Sequence, residues 1–404
     1  MTDHNAANLY DAIVVGARCA GSPTAMLLAR RGYRTLVVDR ARFPSDTVST
    51  HLIHPPGVAM LDRWHLLDQL VATGCPPITT YSFDLGPVTI SGNPCPADGA
   101  ATSYCPRRTV LDQLLVDAAR EAGAEIREGV TLDELLIENG TVAGVRCHAS
   151  DGTPMVERAR VVIGADGAHS RVARAVAAAS YHEKAVLSVA YYSYWSGIPV
   201  DNSGWVVRPG QGFAAFPTND GLTMLLAAWP YAEFQSVKKD IEGNYLQAVQ
   251  SAFGDRLDVA HREERVVGGG VPNVFRTPFG PGWALVGDAG YVKDPVTAQG
   301  ITDAFRDAEL CVAALDAAFN GTRSFDDAMG DYQRGRDARV LPLFEFTAQI
   351  ASLAPPPPEL QQLLGAIDGN VQAMNEFVSL FAGTISPADF FDPAHLDRLM
   401  GSLR

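Results

Sequence analysis

The sequence predicts an α/β fold: a Rossmann-type nucleotide-binding domain, an inserted antiparallel β-sheet and a helical C-terminus. Three observations carry that expectation. A strand–turn–helix–strand pattern occupies residues 10–39. Two further apolar strands, far along the chain, each run into a Gly-rich turn and a helix. Between them lies a stretch of alternating, aromatic-rich segments. With 404 residues the chain can bury two domains or one large one.

The first pattern begins with an apolar, β-branched run from Tyr10 to Val15, followed by GARCAG at 16–21. A helical SPTAMLLARRG and a second strand, YRTLVVD, follow, and Asp39 stands 23 positions after Gly16. Gly16 permits the tight turn, and Gly21 lets the helix pack closely on the sheet. The helix start offers free N–H groups and a positive dipole end to a pyrophosphate. Asp39 suits ribose hydroxyls. Arg18 replaces the usual middle glycine. Its guanidinium either faces the phosphates or the solvent edge of the cofactor, or is an incidental surface group at a disabled site. This element alone indicates a dinucleotide without separating FAD from NAD(P).

The second piece is VVIGADGAHSRVAR at 161–174, and the third is GWALVGDAGYVKDPVTAQGITDAFRDAELCVAAL at 282–315. Ligands of open α/β sheets bind at the carboxyl ends of strands, so the three turns can meet around one ligand. Asp288, at the end of WALVG, suits a ribityl hydroxyl. A helix beginning near Ala298 would aim its N-terminus at a flavin pyrimidine ring and stabilise the negative charge of the reduced form.

On these residues the chain resembles the group A FAD-dependent monooxygenases of the para-hydroxybenzoate hydroxylase fold, and it is similar also to the geranylgeranyl reductase branch. GADGAHSR matches the DG motif, which is associated with FAD and NAD(P)H. GDAGYVKDPVTAQG matches the GD motif without a gap, and Arg108 in CPRRTVLDQLL fits R-x-x-[FL]-D. The match is good over about 8–175 and 275–320. The resemblance implies FAD as cofactor and NAD(P)H as a transient reductant. It assigns Gly16, Ala20, Gly21, Asp39 and Arg40 to the ADP half. Arg108, Gly287 and Asp288 fall to the ribityl and pyrophosphate. Pro295 and the backbone of Thr297, Ala298, Gln299, Gly300 and Ile301 fall to the isoalloxazine. Asp166 sits in the DG turn, or else caps the helix expected at 168–176.

The sequence also departs from the family. STHLIHPPG at 49–57 places Ser49 where many hydroxylases carry an arginine. It also introduces His51 and His54, each either a group that orients substrate or acts as a base, or a structural histidine bonded to the loop. YWSGIP at 194–199 lacks both tryptophans of the halogenase hexapeptide, which speaks against halogenation. DAG…TAQGI is close to the reductase form of the GD motif, and GFAAFPTNDGLT at 212–223 is similar to a phrase shared by reductases and halogenases.

Residues 183–230 alternate and carry Gly-Pro-Asp-Asn punctuation, as antiparallel strands do. A shorter β-rich segment spans 78–104. Together they predict a sheet over the flavin, with Tyr192, Tyr194, Phe213 and Phe216 as candidate substrate contacts. The expected division is 1–77, 105–178 and 270–345 for the FAD-binding domain, 78–104 and 179–269 for the substrate domain, and 346–404 for a C-terminal helical region. Residues 232–253 read as helical, and APPPPEL at 354–360 as a stiff connector.

A net charge of −14 excludes a nucleic-acid footprint, and no apolar run is long enough to cross a bilayer. The N-terminus shows no signal peptide, and the six cysteines have no metal-ligand spacing, so a cytoplasmic protein with reduced thiols and no metal is expected. The implied activity is a monooxygenase using NAD(P)H and O2. It would hydroxylate or epoxidise a hydrophobic, aromatic or polycyclic small molecule through a flavin C4a-hydroperoxide. The alternative is an FAD-dependent reductase or dehydrogenase of a hydrophobic substrate. The sequence does not reveal the oligomeric state.

Overall fold

The computed structural model describes residues 9–198, 200 and 202–401. The polar leader at 1–8, Pro199 of YWSGIP, Asp201 and residues 402–404 lie outside them. The run around YDAIVV is the strand Leu9–Val15, at the centre of a parallel sheet. Across that sheet the order is Trp283–Leu285, Pro154–Gly164, Leu9–Val15, Thr35–Asp39 and Glu125–Glu128. Residues 12–15, 36–38 and 161–164 at its centre are continuous buried apolar runs because both of their faces are covered, whereas the edge strand Glu125–Glu128 is polar. Val14, Val37, Val161 and Ile163 face the helices Gly21–Ala29, Arg108–Glu121 and Gly300–Phe319. Ile13, Val15, Leu36 and Val162 face the antiparallel pair Val130–Glu138 and Thr141–Ala149.

Register is what positions the site. Val15 pairs with Gly164 and with Val38, and Gly164 pairs with Leu285. The carboxyl ends of the strands are therefore level, and their following turns are neighbours.

The second large sheet contains Ser188–Ser196, Ser203–Arg208, Gln211–Pro217 and Thr223–Pro230. The hairpin Tyr81–Asp84/Thr89–Gly92 joins its edge, but Tyr81–Asp84 runs parallel to Ser203–Arg208. The sheet is therefore mixed, where the sequence predicts antiparallel strands throughout; pairing order depends on the crossover through the nucleotide domain, which alternation does not encode. One face packs under the helix Ile241–Phe253 and the other under the C-terminal helices. The helical segment expected at 232–253 breaks at 238–240, where Asp240 accepts the Gly243 N–H at 2.8 Å and caps the second helix. Of APPPPEL, residues 358–360 already belong to the helix Pro358–Ile367, whose first residue is a proline with no N–H to lose. Among the described residues, no helix is long and apolar enough to cross a membrane.

Candidate functional site

Three turns close on one another at the strand ends. Gly16 has φ +104°, and a Cβ there would lie 2.5 Å from the Ala165 carbonyl oxygen of the DG turn. A Cβ on Gly21 would lie 1.8 Å from the Gly16 oxygen, and one on Gly287 would lie 2.8 Å from the Ala20 Cβ. The first turn thus touches the DG turn on one side and the GD turn on the other, at distances only glycine allows. Asp39 ties in the second strand: its carboxylate accepts the N–H groups of Ala17 and Ala41, both at 2.7 Å. Arg40, beside it, is exposed.

Asp288 is solvent-accessible although Gly287 and Ala289 on either side of it are buried. Protein nonetheless crowds around it. Burial lifts its pKa to about 6, against the pull of Arg108 and Lys293. Accessibility together with crowding places this carboxylate on the wall of a deep cleft. Gly300, first residue of its helix, is likewise exposed between buried Gln299 and Ile301, and a Cβ there would meet open space. The loop before it makes a 3-10 turn at Pro295–Thr297, and Ala298 then adopts the left-handed conformation with φ 54°. Gln299 precedes the helix and donates to the Phe381 oxygen at 2.7 Å, linking this loop to the C-terminal region. A cleft with an acid at one strand end, an open helix N-terminus and glycine-thin turns fits a long dinucleotide such as FAD.

Arg18 does not face that cleft with a free guanidinium. It is paired with Asp112 and donates to the Ser45 hydroxyl at 3.0 Å. Asp112 is fully buried and also takes a bidentate contact from Arg108, with bonds of 2.8 and 3.0 Å from Nη2. The departure from glycine therefore installs an ionic tie between the first turn and the helix Arg108–Glu121. Asp112 was legible as the aspartate of R-x-x-[FL]-D, but its second arginine was not. Asp166 accepts the Ser170 hydroxyl at 2.5 Å and the Arg171 N–H at 2.6 Å, so it caps the helix Arg171–Ala175, shorter than the 168–176 predicted. Asp307, which sequence reasoning missed, accepts the Gly287 N–H at 3.0 Å and holds the GD turn, and burial pushes its pKa up to about 7.

Both histidines are fully buried. His54 Nε2 donates to the Thr297 oxygen at 3.0 Å, and Nδ1 accepts from the Tyr81 hydroxyl at 2.6 Å, so it orients the 295–301 loop. His51 Nδ1 donates to the Ser49 oxygen at 2.8 Å, which leaves Nε2 to accept from the Tyr194 hydroxyl. Burial drives the pKa of His51 down to about 3 and that of His54 to about 4, so both rings are neutral. Arg107 lies over the Tyr194 ring at 3.8 Å, and the Tyr192 ring meets His51 edge-on at 5.5 Å.

The FAD binding domain family matches residues 9–347 of this chain. The chain belongs to that family. It is an FAD-dependent oxidoreductase. It is 28% identical over 313 residues to digeranylgeranylglycerophospholipid reductase 2 of Methanopyrus kandleri, covering 72% of this chain and 73% of that protein. It is 26% identical over 331 residues to 6-methylpretetramide 4-monooxygenase of Streptomyces rimosus, covering 78% and 77%. The structure of the myxobacterial chondrochloren halogenase CndH superposes with a TM-score of 0.80 at 21% identity, over 98% of this chain and 97% of that one, a likeness of fold.

Beside the 295–298 loop of this flavoprotein lies a cavity of about 890 Å³. Its walls come from the mixed sheet (Phe83, Trp205, Phe216), from the C-terminal helices (Phe346, Phe377) and from Pro295, Val296 and Ala298. The proline connector and Leu353 border it. Phe216 belongs to this side of the sheet, as do Tyr192 and Tyr194, which pack in the same cluster. Phe213 is the exception. It borders the cavity along the strand, but its side chain packs on the opposite face, with its ring 6.4 Å from Phe253.

Proposed function

We propose that this flavoprotein is a monooxygenase using NAD(P)H and O2 to hydroxylate or epoxidise a hydrophobic aromatic or polycyclic molecule. One observation carries the reading: the large apolar cavity shares the 295–298 loop with the cofactor cleft. Gly16, Ala20, Gly21, Asp39 and Arg40 would hold the ADP half of FAD. Arg108 and Asp288 would hold its centre, and Pro295 and Thr297 to Ile301 its isoalloxazine. Bound FAD, once reduced, supplies the electrons that activate oxygen. The protein's share is to orient and to keep dry. His54 fixes the Thr297 carbonyl, the aromatic wall positions the substrate, and the C-terminal helices cover the cavity.

A small polar pocket beside the DG turn, lined by His169, Arg174 and Arg276, suits the phosphates of a transient nicotinamide reductant. The similarity to the Streptomyces rimosus monooxygenase supports the oxygenase reading, and that to the Methanopyrus kandleri reductase favours hydride transfer to an isoprenoid substrate instead. Turnover under 18O2 with NAD(P)H distinguishes the two. One labelled oxygen per product molecule is expected. Anaerobic product formation, with hydrogen delivered to a carbon–carbon double bond, would replace this reading with the reductase.

A further inference from the structure

The apolar cavity has a charge property that neither family branch dictates. Among its described lining residues Glu359 is the single ionisable side chain; lysine, arginine and histidine contribute nothing to the wall. Arg208 follows the lining residue Val207, yet it is turned onto Asp84, with Nη2 2.8 Å from Oδ2. Arg107 is bound to Glu264 at 2.6 Å and lies over Tyr194. The Ser188 hydroxyl in the wall donates to Asp294 at 2.7 Å. Thr50 is half-buried in the lining, and the other polar groups, Gln349, Ser352, Glu359 and Gln362, collect at the exposed rim, bordering the end of the Phe325–Ile350 helix and the proline connector. Inside, Phe83 stacks on Trp205 at 4.6 Å and 9°, Phe381 is tilted 40° against Phe83 at 4.3 Å and Phe216 meets Trp205 edge-on at 74°, so the wall is aromatic.

We infer that this cavity accepts an uncharged polycyclic molecule and rejects carboxylates, sulfates and phosphate esters, whose charge would be buried without a partner. The inference rests on the cavity being the substrate site of the proposed oxygenase, and it narrows that site's substrate class. A carboxylate taken into such a wall has two courses. It stays outside, or it enters as the neutral acid by picking up a proton. Any hydroxyl or amide of the substrate lies at the rim, against Gln349, Ser352 and Gln362. Glu359 adds repulsion for an approaching anion.

The experiment uses the FAD-loaded protein and two probes, 2-methylanthraquinone and anthraquinone-2-carboxylate. Binding is followed by calorimetry and by quenching of tryptophan fluorescence, with Trp205→Phe locating the signal in the cavity. The neutral probe is expected to bind with no pH dependence. The carboxylate is expected to bind roughly 30-fold more weakly or worse at pH 8, and to gain affinity as pH falls. Gln349→Arg, an exposed rim change, is expected to narrow the gap between the two probes by raising the carboxylate's affinity. Equal or tighter binding of the carboxylate at pH 8 overturns the inference, and so does failure of the neutral probe to bind. A protein that binds the neutral probe and yet incorporates no 18O from its own substrate keeps the charge inference and loses the oxygenase reading.

Discussion

The nucleotide-facing turns and the apolar cavity share the 295–298 loop but are built on opposite principles. At the turns, backbone meets backbone or a single methyl: Gly21 against the Gly16 carbonyl, Gly16 against the Ala165 carbonyl, Gly287 against the Ala20 Cβ. No side chain can be added there. In the cavity, side chains from four distant segments, around residues 83, 205–216, 346 and 377, supply a wall in which volume and polarity matter more than any single atom. The first kind of site tolerates almost no substitution and leaves a local mark in sequence. The second tolerates many and leaves none.

The sharpest way to break this comparison is Gly21→Ala. Its methyl would sit 1.8 Å from the Gly16 oxygen, so the helix must move off the sheet. The variant is expected to purify without FAD, read as absence of flavin absorbance, at a cost of about 3 kcal/mol or more in stability. Full flavin content would show that the turns are not the rigid partner. Next in size is Asp112→Ala, which leaves Arg18 and Arg108 without their shared carboxylate. A loss of about 3–5 kcal/mol is expected in urea unfolding. A loss below about 1 kcal/mol would mean that water replaces the carboxylate.

The histidines at the border between the two regions predict an acid dependence. Their folded pKa values, about 3 for His51 and about 4 for His54, lie below the ordinary 6.5, so the unfolded chain binds more protons in that interval. Their stabilisation is therefore complete above pH 6.5 and is lost as pH falls toward 4, by roughly 2 kcal/mol each at pH 5. His51→Gln should flatten the acid limb of stability against pH, and an unchanged limb would place the proton uptake elsewhere. His54→Leu strips partners from the Thr297 carbonyl and the Tyr81 hydroxyl. A rise of about tenfold in the FAD dissociation constant is expected, with the fold retained by circular dichroism. Smallest is Phe216→Leu in the cavity wall. It should cost less than about 1.5 kcal/mol, keep its flavin and shift only the preference among substrates. Loss of flavin from this variant would erase the distinction between the two regions.

Legibility in the sequence follows the same division. Gly16, Gly21, Asp39, Gly287 and Asp288 were recognisable because a tight turn, a close helix approach and an acid at a strand end each demand one residue type at one spacing. Arg18 was open between the phosphates, the solvent edge of the cofactor and an incidental surface place; its pairing with Asp112, 94 positions away on a helix whose distance from the first turn no local pattern states, was not legible. Phe213 borders the cavity while its ring packs on the other face, because alternation says which residues share a face without saying which face meets the cavity. His54 was open between two roles until the Thr297 carbonyl was found 243 positions along the chain. Residues 360–404 read in sequence as apolar helix that closes one side of the pocket or forms a dimer contact; that Phe377 and Phe381 are the wall residues was not legible.

By itself, then, the sequence determined the parallel sheet, the three turns and the FAD-binding family, because backbone conformation and close approach impose residue types locally. The tertiary structure alone decided the ionic tie through Asp112, the neutral state of His51 and His54, the parallel junction in the second sheet and a cavity lining whose one ionisable group among the described residues is Glu359. Each of these depends on which distant side chains are brought into contact and withdrawn from water, and desolvation has no local signature in a chain of residues.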